Sequence, residues 1–460
     1  MTHSLAPDIS RDAEVRRAYA ADASGLLLIP DGVVRAQSAQ EIAALLMEAS
    51  SSGMAVTTAG GQTSTTAASI SDTGIILSLR GMARIIEIDT DARTARVEPG
   101  VLVGDLKRAC AAQNLLFAPD PTSEDECTIG GAVACNASGA RSLRYGATRP
   151  HVRALTVALA DGSLVELRRS ALEKNTVGYD FAHDPIDWFI GSEGTLGVVV
   201  EAELALLPLP EQVVGLAIPF GSEGSALQFV AAARESTRVH ARCLEFLDVL
   251  ALAIARDAED AAGWAMDAQA LVYVEEVPLA GAEPPLDEWL SLAESFGAQV
   301  DDVRVYDSEV ALREARRMRH AVPAHMNERG GQRRPFGGRK VSTDWAVPYR
   351  SLPQAIRRAR DIATAAGVEQ AVTYGHAGNG HPHQNFIADD AEQLTRIERV
   401  VEATLREVIA LGGTVAAEHG IGKLKRKWLP LQMSPLQVRA MRAVKQELDP
   451  AGILAPGNVL

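Results

Sequence analysis

Three histidines lie close together in residues 374–386, which read YGHAGNGHPHQNF. His376, His381 and His383 alternate with Gly375, Gly378 and Gly380. The preceding AVTY is a β-type run, and the glycines then allow the backbone to turn sharply. We therefore expect the imidazoles at a bend, where side chains that are far apart on a straight strand can converge. Such a geometry is typical of a metal site or an active site.

A carboxylate and a fourth imidazole stand side by side in residues 418–429, EHGIGKLKRKWL. Glu418 together with His376 and His383 makes a set of two histidines and one carboxylate. Zinc accepts these ligands and, in catalytic sites, keeps one position for a substrate. Each of these residues alone is more often a solvated surface side chain, so the prediction depends on their combination.

Three loops consist almost entirely of small residues. AGGQTSTTAAS (residues 59–69) follows a predicted strand, PDPTSEDECTIGGAVACNASG lies at 119–139, and GSEG begins at Gly191. Small residues allow consecutive backbone N–H groups to face one anion, which suits a pyrophosphate. None of the loops is a GxGxxG or Walker motif, so NAD on a Rossmann unit and ATP on a P-loop are not supported. Three such loops indicate one large, extended ligand.

The elements that must position these residues change near Pro208 and Pro210. Before the prolines, the sequence predicts an amphipathic helix with Ile42, Leu45 and Leu46 on one face. It also predicts a hairpin at VRALTVALADGSLVEL and a long strand at TLGVVVEAELALLPLP. After the prolines, the patterns predict strands at VVGLAIPF, ALVYVEEV and VEQAVTYG, with several helices between and after them. The basic, glycine-rich QRRPFGGRK, residues 332–340, is predicted to be a mobile loop.

The composition excludes several classes of protein. The 460 residues carry 45 Lys and Arg against 59 Asp and Glu, a formal net charge of −14. That sign argues against nucleic acid and against an anionic membrane surface as partners. The four cysteines have no CxxC spacing, and we expect reduced thiols in a cytoplasmic protein. No signal peptide and no transmembrane segment are predicted.

These motifs in this order resemble the FAD-linked oxidases of the vanillyl-alcohol-oxidase superfamily, in particular their D-2-hydroxyacid dehydrogenase branch. The resemblance runs from YAADASGLLLIPDG to DPAGILAPGNVL, and its most specific parts are CTIGGAVACNASG, GSEGTLG, GHAGNGHPH and AAEHGIG. It implies an α+β fold: a two-part FAD-binding domain of the PCMH type, with an α+β cap domain whose antiparallel sheet is flanked by helices. The implied division is an N-terminal extension (1–28), an FAD-binding domain (29–210), a cap domain (211–413) and a C-terminal segment (414–460) that returns to the FAD-binding domain.

The resemblance also implies which residues bind FAD. They are Gly60, Gly61, Gln62, Thr63 and Ser64, then Pro121, Thr122, Ser123, Thr128, Gly130, Gly131, Asn136 and Ser138, then Glu193, Gly194 and Val198. No histidine or cysteine lies in residues 59–69, so non-covalent FAD is expected. This chain has Gln62 where the family usually has glycine, and Asn458 where the family usually has lysine.

Around the substrate, the resemblance assigns His376, His383 and Glu418 as ligands of a divalent metal, most simply Zn²⁺. His419 matches the general base, and Arg319, Lys340 and Asn385 match residues that contact the substrate. His381 is an additional imidazole, expected outside the ligand set or facing solvent. The implied reaction is oxidation of a D-2-hydroxy acid of the D-lactate, D-2-hydroxyglutarate or glycolate type, with hydride transfer to flavin N5.

Three alternatives stay open at this point. One is a transferase similar to alkylglycerone-phosphate synthase, which uses this FAD scaffold without net oxidation. The second is a flavin-binding subunit of an electron-transfer complex, and the third is a metal-stabilised binding protein. The sequence does not identify the acid or the electron acceptor. The oligomeric state is open as well, and a homodimer is compatible with the sequence.

Overall fold

The structure is a computed structural model that describes residues 6–258, 263–279 and 281–460. The chain divides into two compact units. The first unit comprises the residues up to Gly139, then Gly146–Leu209 and Glu418–Leu460. The second unit comprises Ala140–Tyr145 and Pro210–Ala417. Residues 1–5 of the predicted N-terminal extension lie outside the described part of the chain.

Helices and strands are numbered here in chain order. The α-helices are α1 (Ala13–Ala18), α2 (Ala39–Ser52), α3 (Val103–Ala111), α4 (Ile129–Cys135), α5 (Ser142–Tyr145), α6 (Ile186–Phe189), α7 (Glu223–Glu235), α8 (Val249–Ala258), α9 (Leu286–Ser295), α10 (Glu309–Arg333), α11 (Leu352–Ala365), α12 (Ala391–Ala410), α13 (Leu429–Gln432) and α14 (Pro435–Leu448). The strands are β1 (Gly32–Arg35), β2 (Val56–Ala59), β3 (Ile75–Ser78), β4 (Ile85–Asp89), β5 (Thr94–Val97), β6 (Leu115–Leu116), β7 (Val152–Ala158), β8 (Leu164–Arg168), β9 (Val198–Ala205), β10 (Leu207–Pro208), β11 (Val214–Phe220), β12 (Ala241–Asp248), β13 (Ala270–Glu276), β14 (Arg304–Tyr306), β15 (Gly337–Ser342), β16 (Val372–His376) and β17 (His381–Asp390).

The first unit contains a parallel three-stranded sheet, a five-stranded antiparallel sheet and a short two-stranded pairing. The parallel sheet has the order β1-β3-β2, and the antiparallel sheet has the order β4-β5-β9-β7-β8. Helix α2 buries the predicted apolar face. The side chain of Ser38 caps its first turn, and Gly53 ends it in a left-handed conformation. The C-terminal segment joins the parallel sheet, since the N–H of Val56 donates to Ile453 O at 2.8 Å.

The second unit is built on a seven-stranded sheet in which every neighbouring pair is antiparallel. Its order is β14-β11-β13-β12-β16-β17-β15. Directly opposed residues of antiparallel strands point to the same face. The 25-residue helix α10 contributes Leu312, Met318 and Val322 to a core shared with Leu247 and Leu271 of the sheet. The predicted α+β class, with helices flanking an antiparallel sheet, is confirmed.

The predictions of single helices and strands succeed where one face of the element is apolar, and they fail where charged and apolar residues are mixed on it. The hairpin of β7 and β8 forms as predicted, with Gly162 in its turn at φ 83°. Strand β12 was missed because its ARCLEFLD sequence buries Arg242, Glu245 and Asp248 among apolar residues. The prediction of a mobile loop at 332–340 is wrong, since α10 extends to Arg333 and β15 begins at Gly337 and pairs with β17.

Candidate functional site

The histidine-rich segment is a tight β-hairpin. Strand β16 ends at His376, a single 3₁₀ turn follows, and β17 begins at His381, which lies directly opposite His376. Gly380 has φ 69°, and a Cβ at this position would lie 1.9 Å from Val347 O. Only glycine fits there, which explains the turn predicted from the sequence. After the turn the chain is a regular strand and not an irregular loop.

The hairpin brings three imidazoles together in the second unit. The ring centroids of His376 and His381 are 5.4 Å apart, those of His376 and His383 are 5.3 Å apart, and those of His381 and His383 are 4.6 Å apart. One ring nitrogen from each lies within 4.8 Å of the others. All three side chains are buried. The expectation that His381 could face solvent is therefore wrong. Clustered, buried imidazole nitrogens are a donor set suited to zinc.

A buried carboxylate on the neighbouring strand β12 joins this cluster to helix α10. Glu245 Oε1 lies 2.6 Å from His376 Nδ1, and Arg319 Nε donates to Glu245 Oε2 at 2.8 Å. Burial by itself raises the pKa of this carboxyl, yet the contacts with His376 and Arg319 hold the pKa of Glu245 at about 2. The predicted substrate residue Arg319 is therefore fixed by a partner that the sequence did not reveal.

A second carboxylate, Asp344, lies on the other side of the hairpin. His381 Nε2 is 3.1 Å from Asp344 Oδ1, and both side chains are buried. The backbone N–H of Ala417 donates to Asp344 O at 2.8 Å. Sequence reasoning missed Asp344 and Glu245. For Glu245 the available signal was a carboxylate between Leu244 and Phe246, which is costly to bury unless a partner compensates it.

The other two predicted substrate residues, Asn385 and Lys340, differ in the hydrogen bonds of their polar atoms. Asn385 Nδ2 donates to the hydroxyl of Tyr374 at 2.8 Å, while its buried Oδ1 has no hydrogen-bond partner among the described residues. Lys340 on β15 donates to Asn327 Oδ1, and burial lowers the pKa of the lysine. A buried amide oxygen without a partner costs free energy, so Asn385 marks a place where a ligand would complete the polar contacts.

In the first unit, the loop after β2 packs directly against residues 126–128, with no room for a side chain at its two glycines. A Cβ at Gly60 would lie 2.2 Å from Thr128 Oγ1, and one at Gly61 would lie 2.0 Å from Glu126 O. Arg80, which the sequence analysis missed, donates to the carbonyl oxygens of both glycines at 2.9 Å. Gln62 is left-handed at φ 57°, a conformation that the family's usual glycine adopts without strain. Of the predicted loop residues that follow, Ser64 Oγ accepts the N–H groups of Thr66 and Ala68.

The second predicted FAD segment is a turn followed by the short helix α4. Cys127 N donates to Ser123 O at 2.7 Å, and the side chain of Thr128 caps the helix by accepting Gly131 N. A Cβ at Gly130 would lie 2.7 Å from Pro99 Cβ, so this glycine allows close packing. Asn136 ends the helix in a left-handed conformation and accepts Arg149 N through its side chain. Glycines and caps thus shape the segment.

Glu193 holds the loop that carries the other predicted catalytic residues. Its two carboxylate oxygens accept the backbone N–H groups of Ile421 and Gly422 at 2.6 and 2.7 Å. Burial raises the pKa of Glu193, and the two backbone hydrogen bonds act in the opposite direction. Thr66 Oγ1 donates to His419 O at 3.3 Å, so the predicted flavin loop and the predicted base are joined within this unit.

Three further predicted residues occupy different environments in the first unit. Val198 is buried in the core beneath the parallel sheet. Asn458, which replaces the family's usual lysine, accepts from Lys423 Nζ at 2.7 Å through its side-chain oxygen. An ammonium therefore lies beside position 458 although the lysine itself is absent there. Glu418 follows Ala417 and is the first residue of the stretch with which the first unit ends, Glu418–Leu460.

Comparison with known proteins defines the class. Residues 209–459 match the C-terminal domain of FAD-linked oxidases, and residues 30–168 match an FAD-binding domain. The close packing of Gly60 and Gly61 against residues 126–128 brings two of the predicted FAD loops together, which fits such a cofactor. The chain belongs to the FAD-linked oxidases and is an FAD-dependent oxidoreductase.

Several relatives align over nearly the whole chain. A glycolate oxidase subunit, GlcD, of Bacillus subtilis is 30% identical and covers 94% of this chain and 89% of its own length. A D-lactate dehydrogenase of Anaerostipes hadrus is 30% identical with the same two coverages. A D-2-hydroxyglutarate dehydrogenase of Xanthomonas citri pv. viticola is 31% identical and covers 92% of this chain and 87% of its own length.

Solved structures support the fold. An alkyldihydroxyacetonephosphate synthase superposes with a TM-score of 0.73 at 17% identity, covering 97% of this chain and 82% of its own. A 4-ethylphenol oxidase from Gulosibacter chungangensis has a TM-score of 0.71 at 16% identity, covering 98% and 94%. At these identities the likeness concerns the fold alone. Among the described residues, no helix is both long and apolar enough to cross a membrane.

Proposed function

We propose that the protein is an FAD-dependent D-2-hydroxyacid dehydrogenase that oxidises its substrate to the 2-oxo acid. The observation that carries the proposal is the buried cluster of His376, His381 and His383 in an FAD-linked oxidase. Relatives named as D-lactate, D-2-hydroxyglutarate and glycolate enzymes give the substrate class. The solved alkyldihydroxyacetonephosphate synthase resembles this chain in fold alone, so no observation favours the transferase alternative.

The flavin would be held without a covalent bond by the loops of the first unit. Gly60, Gly61 and the residues after them would approach the pyrophosphate through their backbone, and residues 121–138 and 193–198 would line the remainder. When bound, FAD supplies the redox chemistry by accepting a hydride at N5. The chain would supply the position of the flavin, through loops whose glycines let them pack closely on each other.

The proposed metal ligands are His376, His383 and Glu418, with zinc as the metal. The donor set supports this: two imidazoles that are buried and close together, and a carboxylate that directly follows Ala417. Within the second unit, the N–H of Ala417 donates to Asp344 O, and Asp344 lies beside His381 of the histidine hairpin. When bound, such an ion would lower the pKa of a hydroxyl that it contacts.

The remaining residues would bind and deprotonate the substrate. Arg319 would pair with the substrate carboxylate, because a planar guanidinium suits a bidentate contact. The unpartnered Oδ1 of Asn385 would accept a hydrogen bond from the acid, and Lys340 would add a positive charge. His419 would take the hydroxyl proton as a general base, since an imidazole titrates near neutral pH.

The proposal also covers the location and the partners of the enzyme. All four cysteines are free thiols, which supports a cytoplasmic location. The net charge of −14 gives no support to a nucleic-acid partner and is neutral about a small-molecule substrate. A separate electron acceptor must reoxidise the flavin, and a homodimer is compatible with the proposal.

Anaerobic titration of the purified yellow protein tests this function. The protein would be mixed with D- and L-lactate, D- and L-2-hydroxyglutarate and glycolate while the flavin absorbance is recorded. We expect bleaching by at least one acid of the panel and, for the chiral acids, by the D form only. A yellow protein that none of these acids bleaches would refute the assignment, and bleaching by L acids alone would refute the stereochemistry.

A further inference from the structure

We infer that Glu245 is a positioning residue that couples the histidine cluster to the substrate arginine, an inference that rests on the proposed function. One carboxylate on β12 contacts His376, a proposed metal ligand, and Arg319, the proposed carboxylate-binding residue. It would set the orientation of both at once. Neither residue could then be adjusted without affecting the other.

The geometry assigns a separate oxygen to each partner. His376 Nδ1 is 2.6 Å from Oε1, and Arg319 Nε is 2.8 Å from Oε2. The side chains of Glu245, His376 and Arg319 are 2%, 4% and 9% exposed. Because water contributes little at this burial, the carboxylate depends on these two partners to offset its desolvation.

The contact with His376 determines which ring nitrogen can bind a metal. An ionised carboxylate only accepts hydrogen bonds, so Nδ1 of His376 must carry a hydrogen. In the neutral imidazole, Nε2 then bears the lone pair. A carboxylate that orients a metal-bound histidine in this way is a common supporting contact, and its loss typically costs about 10–100-fold in metal affinity.

The contact with Arg319 determines how the guanidinium can bind a substrate. A guanidinium offers one bidentate edge through Nε and one terminal nitrogen, and another through its two terminal nitrogens. Glu245 engages Nε and thereby occupies the first edge. A bidentate grip on the substrate carboxylate through that edge would compete with Glu245, so Glu245 restricts the direction from which the acid can be held.

The adjacent strand β13 offers a matched control in Glu275. This carboxylate is also 2% exposed, and it is held by Arg242 at 2.6 Å, Arg141 at 3.1 Å and the hydroxyl of Tyr273 at 3.0 Å. Burial raises the pKa of Glu275, but the three arginines Arg141, Arg242 and Arg316 hold it well below its usual range. Replacing Glu275 disturbs a buried ion pair of similar kind without touching His376.

The experiment compares Glu245→Gln with Glu275→Gln. Glutamine keeps the shape of the side chain but replaces one accepting oxygen by an NH₂ group, so His376 and Arg319 can no longer both donate to this side chain. Both variants and the wild type would be checked for FAD content and thermal unfolding. Zinc affinity of the metal-free proteins would be measured by competition with a chromophoric chelator. The kinetic constants kcat and KM would be measured with the acid that the flavin titration identifies.

We expect Glu245→Gln to weaken zinc binding by about 10–100-fold and to raise KM by at least about tenfold, the cost of a lost hydrogen bond to a charged group. Glu275→Gln should leave zinc affinity within about twofold. If Glu245→Gln does not fold, Glu245→Asp serves in its place. Aspartate keeps the negative charge but is one methylene shorter, so it should likewise weaken zinc binding and raise KM.

Two results would overturn the coupling while leaving the proposed function intact. One is wild-type zinc affinity and KM in the folded Glu245 variant. The other is equal weakening of zinc binding by Glu275→Gln, which would attribute the effect to any buried ion pair of the sheet. A wild-type protein that binds no zinc and is not bleached by any acid would instead refute the proposed function, and the coupling with it.

Discussion

Gly380 provides a sharp test of whether the histidine hairpin has a function that depends on its shape. It has φ 69°, and a Cβ there would lie 1.9 Å from Val347 O, whereas real Cβ atoms essentially never come closer than 3.0 Å to another heavy atom. The opposing backbone is itself tied to this turn, because Val347 N donates to Gly380 O at 3.0 Å. Alanine at 380 must therefore displace the turn by about 1 Å.

The expected cost of Gly380→Ala has two parts. A left-handed alanine costs about 1 kcal/mol relative to glycine, and relief of the steric overlap costs about 1–3 kcal/mol more. Gly367→Ala is the matched control, because Gly367 has φ 64° and no atom within 4 Å of its would-be Cβ. It should lose only the conformational part, about 1 kcal/mol.

The functional consequence should exceed the loss of stability. His376 and His381 flank the turn, and a misplacement of about 1 Å can lower a rate by about 100-fold. We expect Gly380→Ala to lose turnover on that scale and at least about tenfold in zinc affinity, while Gly367→Ala keeps both. Chemical denaturation, chelator competition and flavin bleaching measure the three quantities. If a folded Gly380→Ala protein matches Gly367→Ala in zinc affinity and turnover, the reasoning about the hairpin is wrong.

Three other predictions concern the base, the metal and the flavin. His419→Ala should bind FAD normally, yet substrate should reduce the flavin at least ~100-fold more slowly because the general base is gone; an unchanged bleaching rate in stopped flow would remove His419 from the mechanism. Exhaustive chelation should abolish turnover with FAD still bound, and added zinc should restore it; full activity in the metal-free protein would exclude the metal role. Gly61→Ala should lose most of its bound flavin, since the new Cβ would lie 2.0 Å from Glu126 O. The control Gly53→Ala should stay yellow, because its Cβ would meet no atom within 4 Å. Equal flavin absorbance in the two variants would contradict the proposal that the loop after β2 binds FAD.

Much of the local structure could be predicted because it depends on neighbouring residues. The apolar spacing of Ile42, Leu45, Leu46 and Ala49 predicts the buried face of α2, and the structure buries all four. Asp161 and Gly162 predict the turn between β7 and β8. The glycines around His376 and His383 predict a bend that brings imidazoles together, and the hairpin does so.

The partners of the site residues could not be predicted in the same way. Glu245, Arg319 and His376 lie on a strand, a helix and another strand that are far apart along the chain. A buried carboxylate is tolerated only when such distant partners compensate it, and nothing in ARCLEFLD identifies them. Likewise, β15 begins inside the basic, glycine-rich stretch 332–340, which has no strand periodicity, and its strand conformation comes from pairing with β17.

The sequence by itself determined the loops, the turns and the types of residue available for chemistry, because glycine conformations and apolar periodicity act over a few residues. It also carried the order of motifs that places the chain among the FAD-linked oxidases. Only the tertiary structure decided that Glu245 binds His376 and Arg319, that Asp344 lies beside His381, and that the amide oxygen of Asn385 has no protein partner among the described residues. The physical reason is that the free energy of a buried charge depends on which groups the folded sheet brings within hydrogen-bonding distance, whatever their separation along the chain.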